Sequence, residues 1–298
     1  MPVLKEIISS IEIQKFIGDE NMEANQLVEL KNFSNVPHAL TWSNDKNLFK
    51  AASLEQGSII CSPKILDYPL SGSCNYIIVE NPRKAFRDIL MKFFYPERKK
   101  DFISPSSVID VSAKLGNNLF IGHHVIIEEN CVIGNNVSIG HNSVILANTI
   151  IEDEVKIGSN NTIGGVGFGY EKDEQGSYAL MPHIGNVVIK RNAEIGNNTC
   201  IDRAVLGSTI INENAKIDNL VHIAHGVIIG KNSLIIANAM IGGSTEVGEN
   251  VWMAPSSSVI NGIKIGNDST IGMGAVVIKA VEENDVVVGN PAKKLNKQ

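Results

Sequence analysis

A chain of 298 residues has room for two ordinary domains and a sizeable core, so disulfide staples are unnecessary. Hydrophobic residues make up 43%, charged residues 19% and aromatics only 5%, so the apolar mass is aliphatic, which suits β structure. The net charge of −6 and the lack of any basic run exclude a nucleic-acid partner, and no stretch approaches the ~20 apolar residues of a membrane span.

Taken in order, the first hundred residues read as a small α/β module. The N-terminus, Met1 to Glu6, lacks a charged-then-apolar leader pattern, so a soluble, cytoplasmic protein is expected. Residues 44–56 are helix-like, and the apolar runs 58–61 and 76–79 read as buried strands. Asn81 and Pro82 suit the cap and first position of a helix that spaces Phe86, Ile89, Leu90 and Phe93 along one face. The charged, Pro-containing stretch 95–100 marks a boundary, giving domains 1–100 and 101–298. Cys61, Cys74, Cys131 and Cys200 are widely spaced and are read as reduced thiols.

From Ile109 an aliphatic residue recurs every six positions, running unbroken to Ile163. The register resumes over Ile189, Ile195 and Ile201, then again from Ile211 to Val277, for 25 positions in all. A period of six fits neither helix nor plain alternation, but it fits short strands joined by tight corners, three to a coil. Residues 18 apart then stack, and about eight coils at ~4.8 Å make a prism roughly 40 Å long. This is a parallel β-helix. A long break over 165–188 and a shorter one over 202–207 interrupt it, and binding residues concentrate on such loops.

The hexad pattern resembles that of left-handed parallel β-helix proteins, most of which are acyltransferases working as trimers. The string Lys216 to His225, the Gly167-Phe168-Gly169 loop, the Ile201-Asp202-Arg203 step and Gly242-Gly243-Ser244-Thr245 resemble the UDP-3-O-(3-hydroxyacyl)glucosamine N-acyltransferase family of lipid A synthesis. Leu40-Thr41-Trp42 and Val79 to Phe86 are similar to that family's nucleotide-binding domain. The resemblance implies that His225 is the general base and that the Gly243 N–H is the oxyanion donor. It also implies substrate-binding roles for Trp42 and Asn81 in the first module. Phe168, Tyr170, Asp202, Asn219 and His222 are the corresponding candidates in the second. Repeat arithmetic agrees: His225 and Gly243 each follow a core Ile by two and lie 18 apart, so they should share a face. Asp202 or Asp218 could orient the His225 ring.

Two features depart from the family pattern. Gly262 stands where the family carries a second histidine for the donor's phosphopantetheine arm, and the ending Val288 to Lys293, with Pro291, looks like that of coenzyme A-dependent hexapeptide acetyltransferases. Gly243, Gly262 and Pro291 are therefore the donor-side candidates. The expected reaction is N-acylation of a nucleotide-linked amino sugar by an acyl-CoA in surface glycan synthesis, by a homotrimer without metal. The alternative is the lipid A reaction, with acyl carrier protein as donor. A metal-dependent reading of the gamma carbonic anhydrase kind rests on His123 and His141, also 18 apart, but Ser159 offers no third ligand in phase.

Overall fold

The computed structural model describes residues 2–33, 36, 38–95 and 101–295, so the expected boundary stretch beyond Tyr95 lies outside the described residues. The chain divides into two compact units, Met1–Glu97 and Arg98–Gln298.

The first unit is a five-stranded sheet of β1 (Lys15–Ile17), β2 (Gln26–Leu27), β3 (Ala39–Trp42), β4 (Ser58–Cys61) and β5 (Asn75–Ile78). Its order is β1-β5-β4-β3-β2, with only β1 antiparallel to its neighbour. Both central strands are buried throughout, as a sheet covered on two faces requires. Alternation sorts their side chains: Ile59, Cys61, Tyr76 and Ile78 enter one cluster with Phe33 and Leu48, whereas Ile60 and Ile77 enter the other with Leu4, Ile7 and Ile89. Burial pushes the Cys61 and Cys74 thiols up to about 12, and all four cysteines are free.

Helices are shorter here than the sequence suggests. The 44–56 segment is a 3₁₀ turn, Asp45–Asn47, followed by α2 (Leu48–Ala52), after α1 (Leu4–Ile8) near the N-terminus. Leu48, Ala51 and Ala52 are buried, and the chain must then turn back through Gly57, at φ +85°, into β4. The third helix, α3 (Pro82–Ile89), starts as expected: Asn81 Oδ1 accepts from the Lys84 N–H at 3.0 Å, and Pro82 follows the cap.

The second unit is a left-handed parallel β-helix. Its strands mostly span two residues, and each pairs with the strand one coil away, Ile145 opposite Ile163 and Ile223 opposite Ile241. Among the described residues, ladders of nine, eight and eleven strands form its sides. The repeating aliphatic residues make one continuous core, with Ile139, Ile163, Ile201, Ile223 and Ile241 fully buried. Corners need positive φ, and Asn supplies it repeatedly, for example at Asn118, Asn136, Asn214 and Asn232. Those same amides bond from coil to coil, Asn118 to Asn136 at 2.6 Å and Asn214 to Asn232 at 2.8 Å.

Both breaks leave the stack intact. Ile151 pairs with Ile189, 38 positions on instead of 18, so 20 residues are looped out. Cys200 pairs with His222, 22 positions on, so the second break loops out four. Among the described residues no helix is long and apolar enough to cross a membrane.

Each rung therefore contributes independently to one stack. Replacing the fully buried Ile139 by Ala should cost ~2–5 kcal/mol, read from the urea transition of the β-helix unit. A loss below ~1 kcal/mol would show that the rungs do not carry the stability.

Candidate active site

The site forms where one sheet of the prism ends at a corner. On that sheet the strands Thr162–Val166, Cys200–Arg203, His222–Ile223 and Met240–Ile241 stack in succession. His225 leaves the third of these at the corner, locked on both sides: the Gly226 N–H donates to Thr209 Oγ1 at 2.8 Å, and the Ser244 N–H donates to the His225 carbonyl at 2.8 Å.

Gly243 lies one coil on, as the 18-residue spacing requires. A Cβ on Gly243 would fall 2.7 Å from His225 Nε2 and 2.8 Å from Cε1, so the imidazole rests directly on this backbone. The φ of Gly243 is not in the left-handed region, so close approach is the reason for a glycine there. Gly167 makes the same approach from the other side, its missing Cβ 2.9 Å from His225 Cβ and 3.0 Å from Cδ2. Both glycines are buried.

Gly167 arrives on the long insertion, which is an antiparallel hairpin of Tyr170–Lys172 and Tyr178–Leu180. The hairpin brings in His183, which the sequence reading passed over. His183 is buried, and its ring meets that of His225 edge to face, with centroids 5.1 Å apart and planes at 76°. It sits out of register in the insertion, so no periodic position signals it.

Asp202 follows the core residue Ile201 on a four-residue strand, two residues longer than the His222–Ile223 strand that succeeds it. Its side chain is 14% exposed and stands 3.7 Å from His222 Nε2. Burial raises the Asp202 pKa, while His222, His225 and His183 pull it back. For His225 the balance is reversed: burial lowers its pKa, His183 lowers it further, and Asp202 raises it. Asp218 is engaged elsewhere, accepting from the Asn219 N–H at 2.7 Å and the Ala237 N–H at 3.1 Å. Of the two carboxylates, Asp202 is the one whose charge reaches His225.

The remaining candidates are dispersed. His222 projects from the outer face of its strand toward Asp202. Asn219 stands on another corner, where its Oδ1 accepts from the Asn197 N–H at 2.7 Å as part of the coil stacking. Phe168 and Tyr170 pair with each other at 4.9 Å and are exposed. Gly262 donates its N–H to the Gly243 carbonyl at 2.9 Å, with nothing within 4 Å of where its Cβ would be. Pro291 is exposed, next to Ala292, whose N–H donates to the Val276 carbonyl at 2.8 Å.

In the first unit, Trp42 stacks on Phe86 at 6.3 Å and lines a cleft of about 360 Å³ with Leu27, Glu29, Thr41, Asn44 and Asn47. Asn81 spends its side-chain oxygen on capping α3. The His123 and His141 rings do stack, 5.3 Å apart and 13° from parallel, but the His141 Nδ1 accepts from the His123 N–H, and the His123 Nδ1 bonds Ser104 Oγ. Among the described residues no group of three or more His, Cys, Asp or Glu is placed to hold a metal.

Similarity to known proteins agrees with the fold. The family model described as bacterial transferase hexapeptide (six repeats) matches residues 112–147, 130–165 and 208–243, and the hexapeptide repeat of succinyl-transferase matches 256–279. UDP-3-O-acylglucosamine N-acyltransferase 1 of Legionella pneumophila is 37% identical over 240 residues, 74% of this chain and 66% of the relative. Isoform 2 of that organism is 52% identical, over 73% and 68%. The Campylobacter lari UDP-3-O-acylglucosamine N-acyltransferase is 45% identical, over 78% and 76%. In solved structures the fold matches UDP-N-acetylglucosamine acyltransferase of Francisella novicida, with a TM-score of 0.59 and 23% identity over 65% of this chain and 68% of that one.

Two outcomes follow from the packing and charges. Gly243→Ala forces the His225 ring off its seat, so the His225 NMR resonances should move while the melting temperature stays within a few degrees. Unmoved resonances would show that the ring has room. In an NMR titration His225 should have its midpoint below the ~6.5 of free imidazole. An Asp202 anion favours the imidazolium, so Asp202→Asn should carry the midpoint lower still, and a rise would contradict the assignment of Asp202.

Proposed function

The chain belongs to the UDP-3-O-acylglucosamine N-acyltransferase family, and we propose on that premise that it transfers an acyl group from a thioester to the amino group of a UDP-linked 3-O-acylglucosamine. The observation that carries the reading is the His225 imidazole seated on the Gly243 backbone one coil away. The substrate amine attacks the thioester carbonyl, and neutral His225 takes its proton as the C–N bond forms. The Gly243 N–H holds the developing oxyanion. Collapse of the intermediate expels the thiolate, which takes the proton back from His225, leaving an amide and a free thiol. No protein nucleophile is consumed.

A base of this kind contributes ~10²–10⁴ in rate and an oxyanion donor a comparable factor. Burial keeps His225 neutral and able to accept at pH 7, while the Asp202 carboxylate supports the imidazolium once it forms. Within the first unit, the Trp42 and Phe86 cleft offers an aromatic face that suits stacking by a planar ring. The exposed Phe168 and Tyr170 suit the interface of a homotrimer.

The relatives favour the 3-O-acylglucosamine acceptor over the surface-glycan sugar expected from sequence. Acyl-CoA and acyl carrier protein present the same phosphopantetheine thioester, so the open space at Gly262 does not discriminate between them and the two donors are separated by assay.

Thiol release should be measured with UDP-3-O-(3-hydroxyacyl)glucosamine against 3-hydroxyacyl carrier protein and, separately, 3-hydroxyacyl-CoA. Turnover is expected, and it should fall ~10²–10⁴-fold in His225→Ala. Turnover restricted to the carrier protein would remove the acyl-CoA reading. No turnover of any UDP-linked amino sugar with either donor, or an undiminished rate in His225→Ala, would overturn the proposed reaction.

A further inference from the structure

The corner that seats His225 also carries a cation that takes no part in the proton transfers proposed above. Arg203 follows the core residue Ile201 by two, as His225 follows Ile223 and Gly243 follows Ile241, and these core residues pair in succession along one ladder. Arg203 therefore stands on the coil just before His225. It is also tied to the segment that reaches His225 from the hairpin: past a bulge Val166 pairs with Arg203, and the next residue, Gly167, lies against the imidazole. The Arg203 side chain is partly buried, and its Nε donates to the Gly164 carbonyl at 2.6 Å.

Among the described residues no carboxylate comes within ion-pair range of Arg203. Asp202, its neighbour in sequence, turns to His222 instead. The terminal nitrogens of the guanidinium have no hydrogen-bond partner among the described residues, and they are not sealed from solvent. A partly buried charge is costly unless it is paired. A guanidinium held by one backbone bond, with its outer fork free, is suited to an anion from outside the chain, and that fork matches phosphate oxygens in particular.

The acceptor of the proposed reaction brings such an anion. In a UDP-linked 3-O-acylglucosamine the amine and the diphosphate sit on neighbouring ring carbons, so their separation is comparable with the ~4.8 Å between paired strands. Arg203 and His225 are offset by one coil, the same spacing. We propose that Arg203 is a binding residue for the diphosphate of the UDP-linked sugar, its guanidinium fork taking phosphate oxygens while the amine meets His225 on the next coil. This rests on the reaction proposed above. The bond from Nε to Gly164 restrains the guanidinium, so the fork is oriented before the substrate arrives and less freedom is lost on binding.

The test uses the full chain and two substitutions. Arg203→Met keeps an unbranched apolar stem and removes the charge, whereas Arg203→Lys keeps the charge and removes the fork. Calorimetry measures the binding of UDP, and of uridine as the phosphate-free control, without reference to turnover. UDP should bind ~10–100-fold more weakly to Arg203→Met, with uridine unaffected and Arg203→Lys in between. In thiol-release assays the KM for the UDP-sugar should rise by a similar factor in Arg203→Met, while kcat falls less and the KM for the thioester is unchanged. Unchanged UDP affinity in Arg203→Met, or uridine weakened as much as UDP, overturns the proposal. So does UDP that binds the parent protein no more tightly than uridine. If Arg203→Met does not fold, the ratio of UDP to uridine affinity in Arg203→Lys decides it: a reduced ratio supports the assignment and an unchanged one overturns it. UDP binding that depends on Arg203, together with full activity in His225→Ala, would sink the catalytic reading and leave the phosphate contact standing.

Discussion

Coil-to-coil hydrogen bonding is the constraint from which the rest follows. A two-residue strand has no neighbour within its own coil, so its N–H groups and carbonyls must be satisfied by the coils above and below. The Gly242 N–H reaches the Val259 carbonyl, the Ser244 N–H reaches that of His225, and the Gly262 N–H reaches that of Gly243. Slipping one coil would orphan every such pair and expose an aliphatic rung, so the stack has a single register. Both breaks respect it, looping out 20 and four residues and then rejoining the ladder. Position at a corner is thereby set by counting residues along the chain rather than by the shape of a loop.

The site uses that rigidity and adds one irregular element. Corners put His225 and Gly243 face to face, while the hairpin contributes Gly167 and His183 from outside the register. Side chains at either glycine would occupy the space of the imidazole, so absence of side chains is what seats the His225 ring. Burial opposes a charge on His225, and Asp202, held largely out of water on the adjacent coil, favours one. A base needs both influences: it must be neutral when the amine arrives and tolerably stable once protonated.

Much of this is legible in the residues. The recurring Ile positions announce the prism, and a spacing of 18 places His225 against Gly243 and His123 against His141, both as observed. Asn81 and Pro82 mark the start of α3 correctly, and the Asn81 side-chain oxygen caps that helix. The Asn219 side chain, inside the string that resembles the family's active site, turns out to bind its own coil stack. At that corner the positive φ falls on Leu220, and Asn219 bridges coils, so its presence there is a weak sign of function.

Periodicity and local chemistry alone settle the β-helix, the α/β module before it and the stacking of His225 on Gly243, because a strict repeat converts sequence distance into spatial distance. Where the repeat lapses, that conversion fails. The company His225 keeps, Asp202 rather than Asp218 and His183 at its edge, depends on how a looped-out hairpin folds back on the coil and which way a lengthened strand points its side chains. Those are outcomes of packing and desolvation between segments 20 to 40 residues apart, and only the folded chain brings them together.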